Sequence, residues 1–144
     1  MGIYGYHDGI RGHHLIVSGP RVVEWVSGKL AATYNRPTGI GIEKNGELIA
    51  GVVFDEYNRA NVNISVASDG SRRWLNRSFL WAVFDYAFKV CKVRRVTALI
   101  ASDNHQSINF CRAVGFSHEA TLKDAHVNGD ILIYRMFRDE CKWR

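Results

Sequence analysis

Between Asn61 and Ala101 the apolar residues change period twice. Over Asn61 to Ala67, Val62, Ile64 and Val66 alternate with polar residues, the two-residue period of a strand with one buried face. After a loop at Ser68-Asp69-Gly70-Ser71, Leu75, Phe79, Leu80, Val83, Phe84, Ala87 and Phe88 recur at steps of three and four, the stripe of a long helix. Val96 to Ala101 is then a β-branched and apolar run of strand length, predicted to be buried on both faces. Strand, helix and strand in that order imply a parallel pair, so the sheet that holds them is mixed and flanked by helices.

Upstream, Gly39 to Glu43 and Leu48 to Phe54 flank Asn45-Gly46. That dipeptide predicts a hairpin, because a type I′ turn needs positive φ at both central residues. Asn61 to Ala67 completes an antiparallel meander. Before it, Val22, Val23, Trp25, Val26 and Leu30 mark a helix opened by Ser18-x-Pro20 and ended before Pro37. Residues 1–20 read as a loop-rich entry with room for one short strand, His14 to Val17. Downstream, Asp103 or Asn104 caps a helix whose inner face carries Ile108, Phe110, Cys111 and Val114, and Gly115 stops it. Phe116 to Leu122 and Ile131 to Met136 close the chain as two strands joined through Asn128-Gly129. The expected fold is α/β (α+β): a mixed, mostly antiparallel sheet of about six strands flanked by helices, in one domain over residues 1–144.

No apolar run approaches the roughly 20 residues of a membrane-spanning helix, and Met1 to Tyr6 lacks the pattern of a secretory signal, so a cytoplasmic protein is expected. Cys91, Cys111 and Cys141 are odd in number and form no Cys-x-x-Cys unit, which fits reduced thiols. His7, His13 and His14 have no acidic or cysteine ligand at helical spacing and read as loop or surface histidines, with no metal. The net charge of +5 gathers at Arg72, Arg73 and Arg77 and at Lys89, Lys92, Arg94 and Arg95. Such clusters suit nucleic acid or a phosphorylated cofactor, or are a solvated basic face.

Two segments bear on chemistry. Asn61 to Phe88 is a strand, a Gly/Ser/Arg-rich loop and a helix, and a helix N-terminus offers unpaired N–H groups to a pyrophosphate. In Asn104-His105-Gln106-Ser107-Ile108-Asn109-Phe110-Cys111-Arg112-Ala113-Val114-Gly115-Phe116, Asn, Ser and Cys fall on one side of a helix that a Gly-Phe pair ends.

With Val96 to Ser107 before it, that second segment resembles the strand-then-helix signature of the GNAT acyltransferases. That signature has an Asn after the strand, a small polar residue three further on, and a Gly-Phe at the helix end. Gly39 to Val53 looks like the family's meander, and Asp85 to Val96 like its central helix and next strand. The resemblance spans roughly residues 38–136.

The resemblance implies that the parallel strands Asn61–Ala67 and Val96–Ala101 splay, with the pantetheine arm of acetyl-CoA in the gap. Backbone groups near Val66 and Ala67 would bond the pantetheine and polarise the thioester. Ser71, Arg72, Arg73, Trp74, Leu75, Asn76 and Arg77 would hold the pyrophosphate, and Asn104 and Phe110 would line the other side. A neutral primary amine would attack the thioester directly, through a tetrahedral oxyanion, with CoA thiolate leaving. The family's pyrophosphate loop reads Gln/Arg-x-x-Gly-x-Gly/Ala, and Ser71, Trp74 and Asn76 stand at its three defined positions. Where many members place a tyrosine as general acid, four residues before the Gly-Phe glycine, this chain has Cys111. Ser107 matches members that use a serine instead and ranks ahead of it. Asp55 and Glu56 are the candidates for general base, Glu56 foremost. Trp74, Trp81 and Phe84 line a substrate mouth or form core.

The amine acceptor is a small molecule, a protein or a nucleobase. The compact architecture and the Cys-Lys-Trp-Arg tail look similar to small phage- or prophage-encoded members. A different class of reading is a non-catalytic module that keeps the GNAT fold and engages nucleic acid or a nucleic-acid-associated protein, as the altered loop and surplus arginines suggest. A homodimer is the commonest association for such domains.

Overall fold

A computed structural model describes residues 3–7, 14–71 and 76–143. The elements run β1 (Ile3–His7), β2 (His14–Ser18), α1 (Pro20–Leu30), β3 (Thr38–Lys44), β4 (Glu47–Asp55), β5 (Asn61–Ser68) and α2 (Arg77–Asp85). A π turn (Tyr86–Val90), β6 (Arg95–Ala101), α3 (His105–Val114), β7 (Ser117–His126), β8 (Gly129–Phe137) and a short 3-10 turn (Arg138–Glu140) follow. One eight-stranded sheet collects them in the order β1-β2-β3-β4-β5-β6-β8-β7. Among the described strands only β5 and β6 run parallel; the other neighbouring pairs are antiparallel. The sheet is wider than the expected six strands because the entry segment supplies both β1 and β2. His14 lies within β2 and is buried.

The Asn45-Gly46 turn has the positive φ values its sequence predicts, 53° and 84°. The long helix is shorter than its apolar stripe. Asn76 caps α2, its Oδ1 accepting the Phe79 amide at 2.7 Å, and after Asp85 the helix widens into the π turn, closed by Cys91 N–H on the Tyr86 carbonyl at 2.8 Å.

Strand alternation divides the core. Val52, Phe54, Val62, Ile64, Val96, Ala98, Tyr134 and Met136 pack with Phe79, Val83 and Phe84 of α2 and Ile108, Phe110 and Val114 of α3. On the opposite face Val17, Val53 and Ala67 pack with Val22 and Val26 of α1. Glycine makes that second contact close. A Cβ at Gly51 would lie 2.7 Å from Val26 Cγ2, and one at Gly39 would lie 2.9 Å from Val22 Cβ.

Helix α1 touches β2 to β5 but does not cover β6. The α1 face of β6 therefore meets water, and Leu99 is 51% exposed, against the expectation of a strand buried on both faces. Charged residues hold that open face instead. Glu119 pairs with Arg95 at 3.1 Å and Arg135 at 3.3 Å, and these arginines, Arg95 first, keep its carboxyl below the ordinary range.

Candidate active site

The β5–β6 ladder covers Asn61↔Arg95, Val62↔Val96 and Asn63↔Thr97 and then stops. Both strands continue, β5 to Ser68 and β6 to Ala101, so they part toward their C-terminal ends. Each leans on another neighbour there: β5 stays in register with β4 as far as Ala50↔Ser68, and β6 with β8 as far as Ala101↔Ile131. The gap holds a cavity of about 40 Å³ that passes through the sheet, with Leu30 and Ser65 on the α1 side and Val66, Ile100, Asn104, Ser107 and Cys111 on the other.

The gap has an oriented polar edge. Ser107 Oγ donates to the Val66 carbonyl at 3.5 Å, so that carbonyl faces the gap. In a strand the N–H and C=O of one residue leave on the same edge, which aims the Val66 amide there too. No β6 residue pairs with Val66. Ala67 alternates to the other edge and packs toward α1. Apolar side chains of Ile64, Ala98 and Ile100 form the walls.

Helix α3 stands across the opening. Asn104 caps it, Oδ1 accepting the Ser107 amide at 3.2 Å, and this fixes Ser107 in the first turn, facing Val66. Gln106 Nε2 donates to Ser68 Oγ at 2.8 Å, so α3 is laced to the end of β5. Cys111, one turn beyond Ser107, is 2% exposed, and burial pushes its thiol up to about 12. Phe110 is buried in the α2–α3 core and is not among the residues lining the gap.

At the loop between β5 and α2, Ser71 N–H donates to Asp69 Oδ1 at 2.9 Å. Arg72, Arg73, Trp74 and Leu75 lie outside the described residues. Asn76 and Arg77 stand at the α2 N-terminus, with the Arg77 guanidinium 5.8 Å from the Trp143 ring. Trp143 Nε1 in turn donates to the Val114 carbonyl at 2.9 Å, which ties the chain's tail to α3.

The two carboxylates at the end of β4 part company. Glu56 adopts φ 56°, is exposed, and lines neither the gap nor the neighbouring cavity. Asp55 is buried on the α1 face, where its Oδ2 accepts the Asn35 amide at 3.2 Å. Tyr34, just before Asn35, packs on the same face beside Val53 and Ala67. Sequence reasoning missed Tyr34; nothing in the period of residues 31–37 marks it.

A mixed sheet opened at its one parallel pair, with backbone donors on one lip and a capped helix across the mouth, is the frame of an acyl-CoA-dependent N-acetyltransferase. The comparisons agree. A family model described as Acetyltransferase (GNAT) domain matches residues 30–133. No curated protein matches the chain. Among solved structures, a mutant form of the spermidine/spermine N-acetyltransferase SpeG from Vibrio cholerae has TM-score 0.70 at 12% identity, covering 88% of this chain and 96% of its own. The protein yncA from Salmonella typhimurium, solved with its cofactor acetyl-CoA, has TM-score 0.63 at 21% identity over 85% of this chain and 75% of its own. An acetyltransferase (GNAT family) from Bacillus anthracis has TM-score 0.60 at 20% identity over 71% and 67%. With the family model spanning more than two thirds of its length, the chain belongs to the GNAT acetyltransferase family, and its co-substrate is acetyl-CoA. The likeness to phage-encoded members gains no support from these comparisons. Among the described residues no helix is long and apolar enough to cross a membrane.

Proposed function

We propose that this chain moves an acetyl group from acetyl-CoA to a primary amine, which attacks the thioester directly in the gap between β5 and β6. One observation carries the reading: the parallel ladder ends after Asn63↔Thr97 while both strands run on, leaving the Val66 backbone facing an apolar-walled slot beside Ser107. Ile64, Ala98 and Ile100 would flank the pantetheine methylenes, and the Val66 amide would hydrogen-bond the arm. Negative charge developing on the thioester oxygen would find its donors in the same fixed backbone. The capped start of α2, with Arg77 beside it, would receive the phosphates.

Ser107 is the proposed proton donor to the departing thiolate. Its hydroxyl already lines the gap, and its present acceptor, the Val66 carbonyl, is at the long limit of a hydrogen bond. Cys111 is poorly matched to that role. Its thiol lies a turn deeper than Ser107, at 2% exposure, and an S–H is a weaker hydrogen-bond donor than an O–H. Cys111 is better read as a small buried residue that packs α3.

Ser107→Ala is expected to lower turnover by about 10² while acetyl-CoA affinity changes by less than about threefold. A melting scan with acetyl-CoA at about 100 times its dissociation constant should stabilise both proteins by roughly 2.7 kcal/mol. Unchanged turnover removes Ser107 from the chemistry. An absent melting shift in both proteins removes acetyl-CoA from the gap.

At about 40 Å³ the slot must widen to seat the arm, and the Gln106–Ser68 bond spans its mouth. Gln106→Ala removes a bond worth about 0.5–1.5 kcal/mol that entry would otherwise break. Calorimetric titration should therefore show acetyl-CoA binding about two- to tenfold tighter. Weaker binding would mean that Gln106 holds the cofactor rather than the closed mouth.

A further inference from the structure

On the α1 face, β4 ends in a carboxylate with little water and no cation. Asp55 is 8% exposed. Its one hydrogen-bond donor among the described residues is the Asn35 amide at 3.2 Å, and no ion pair among them reaches it. Burial raises its pKa first of all, the Asn35 N–H opposes that, and the nearby Glu56 charge adds to it. Arg36 lines the same cavity from an exposed position without pairing with it. A buried carboxylate left in this state is costly unless a cation joins it.

The second observation is Tyr34. Its hydroxyl is buried and, among the described residues, has no partner at hydrogen-bonding geometry. Burial raises its pKa, Ser65 lies close enough to lower it, and the Asp55 charge raises it again. Tyr34 precedes Asn35, whose amide holds Asp55, and packs beside Val53, the register partner of Ser65; Ser65 lines the gap. The β4–β5 register, Val53↔Ser65 and Asp55↔Asn63, puts Asp55 two residues along from the Ser65 level, about 7 Å in a strand. On its far side Asp55 borders a cavity of about 310 Å³ walled by Thr38, Phe54, Tyr57 and Tyr86. Ser65 thus lines the gap and Asp55 the larger cavity, which wraps the end of β4 with Phe54, Val62 and Tyr86 of the opposite face among its walls.

We propose that the Asp55 carboxylate and the Tyr34 hydroxyl form an ammonium-binding subsite for the acceptor, on the α1 face beside the Ser65 end of the gap. An ammonium brings a positive charge and further N–H donors to a carboxylate held by one backbone amide and to a hydroxyl beside it. The subsite selects an alkylammonium, free or on a lysine side chain, over an uncharged nucleobase amine. This rests on reading the gap as the acyl-CoA site, and the two ideas fail separately.

The test titrates the whole chain with n-butylammonium chloride and, in parallel, n-butanol, following backbone amides by NMR. Butylammonium should move the Asn35 amide, which reports on Asp55 directly, and butanol should not. Asp55→Asn, which keeps an oxygen for the Asn35 N–H, should weaken the butylammonium response at least tenfold. Tyr34→Phe should weaken it about threefold. An unmoved Asn35 amide in the native chain, or full affinity in Asp55→Asn, overturns the proposal. Should Asp55→Asn fail to fold, the ammonium–butanol contrast and Tyr34→Phe decide the matter alone. The acetyl-CoA melting shift of Asp55→Asn, expected to match the native chain, is read separately. Its loss in the native chain would overturn the gap reading and leave the ammonium result standing.

Discussion

Phe84→Ala is expected to lower the melting temperature by roughly 10–15 °C, because it removes a buried aromatic for about 3–5 kcal/mol at about 3 °C per kcal/mol for a chain of this size. Phe84 is 0% exposed. Its ring lies 6.3 Å from Phe88, nearly parallel, and 6.1 Å from Phe116, so it joins α2 to its own π turn and to the segment that leads into β7. Truncation leaves a cavity where three elements meet in a close-packed core. Trp81, three residues earlier on the same helix, is the internal control. It is exposed, with Lys89 5.7 Å from its ring, and Trp81→Ala should cost within about 1 kcal/mol, since exposed cation–π pairs are worth about 0.5–1 kcal/mol. The pair of variants also decides between the two readings of these aromatics. Were Phe84 part of a substrate mouth, its loss would raise KM with little change in melting; as core, it lowers melting first.

What could be read in the sequence follows the range of the signals. Periodicity is local, and it placed β3 to β6, α1, α3 and the closing hairpin to within a few residues. Asn45-Gly46 fixed a turn because its backbone requirement is carried by two adjacent residues. Gly115, at φ 111°, ended α3 for the same reason. The strand-helix-strand order implied the parallel pair, and the family resemblance implied the splay. Other features depend on partners that sequence does not name. Leu99 reads as core by composition, yet α1 stops short of β6 and leaves it in water. Gly39 and Gly51 read as strand residues, but what requires glycine there is the approach of Val22 and Val26 from α1. Asp55 and Glu56 are adjacent and chemically alike. Only the alternation of β4 turns one toward Tyr34 and Asn35 while the other, at positive φ, faces solvent. Tyr34 gave no signal at all, because its importance comes from the strand it covers.

Ser107→Phe is expected to weaken acetyl-CoA binding at least a hundredfold and to remove most of the melting shift, which makes it the sharpest test of where the cofactor arm lies. Ser107 is half-buried in the first turn of α3, held by the Asn104 cap, and aimed at Val66. A benzyl group at that position, aimed at Val66 as the serine is, would occupy the opening the arm needs, and the gap's cavity of about 40 Å³ leaves no room for both. Because the site is at the surface end of the helix, the unliganded protein should lose no more than the 1–3 kcal/mol typical of overpacking. At about 100 times the native dissociation constant, a hundredfold loss of affinity cuts the stabilisation from about 2.7 to about 0.4 kcal/mol, so little of the shift should remain. The contrast with Ser107→Ala separates two roles of one residue. Removing the hydroxyl should slow transfer with binding intact, whereas filling the space should remove binding itself. If Ser107→Phe still bound acetyl-CoA at native affinity, the arm would have to run outside the β5–β6 opening. The Val66 amide would then be too far from the thioester to polarise it, and the transfer chemistry would need another set of donors.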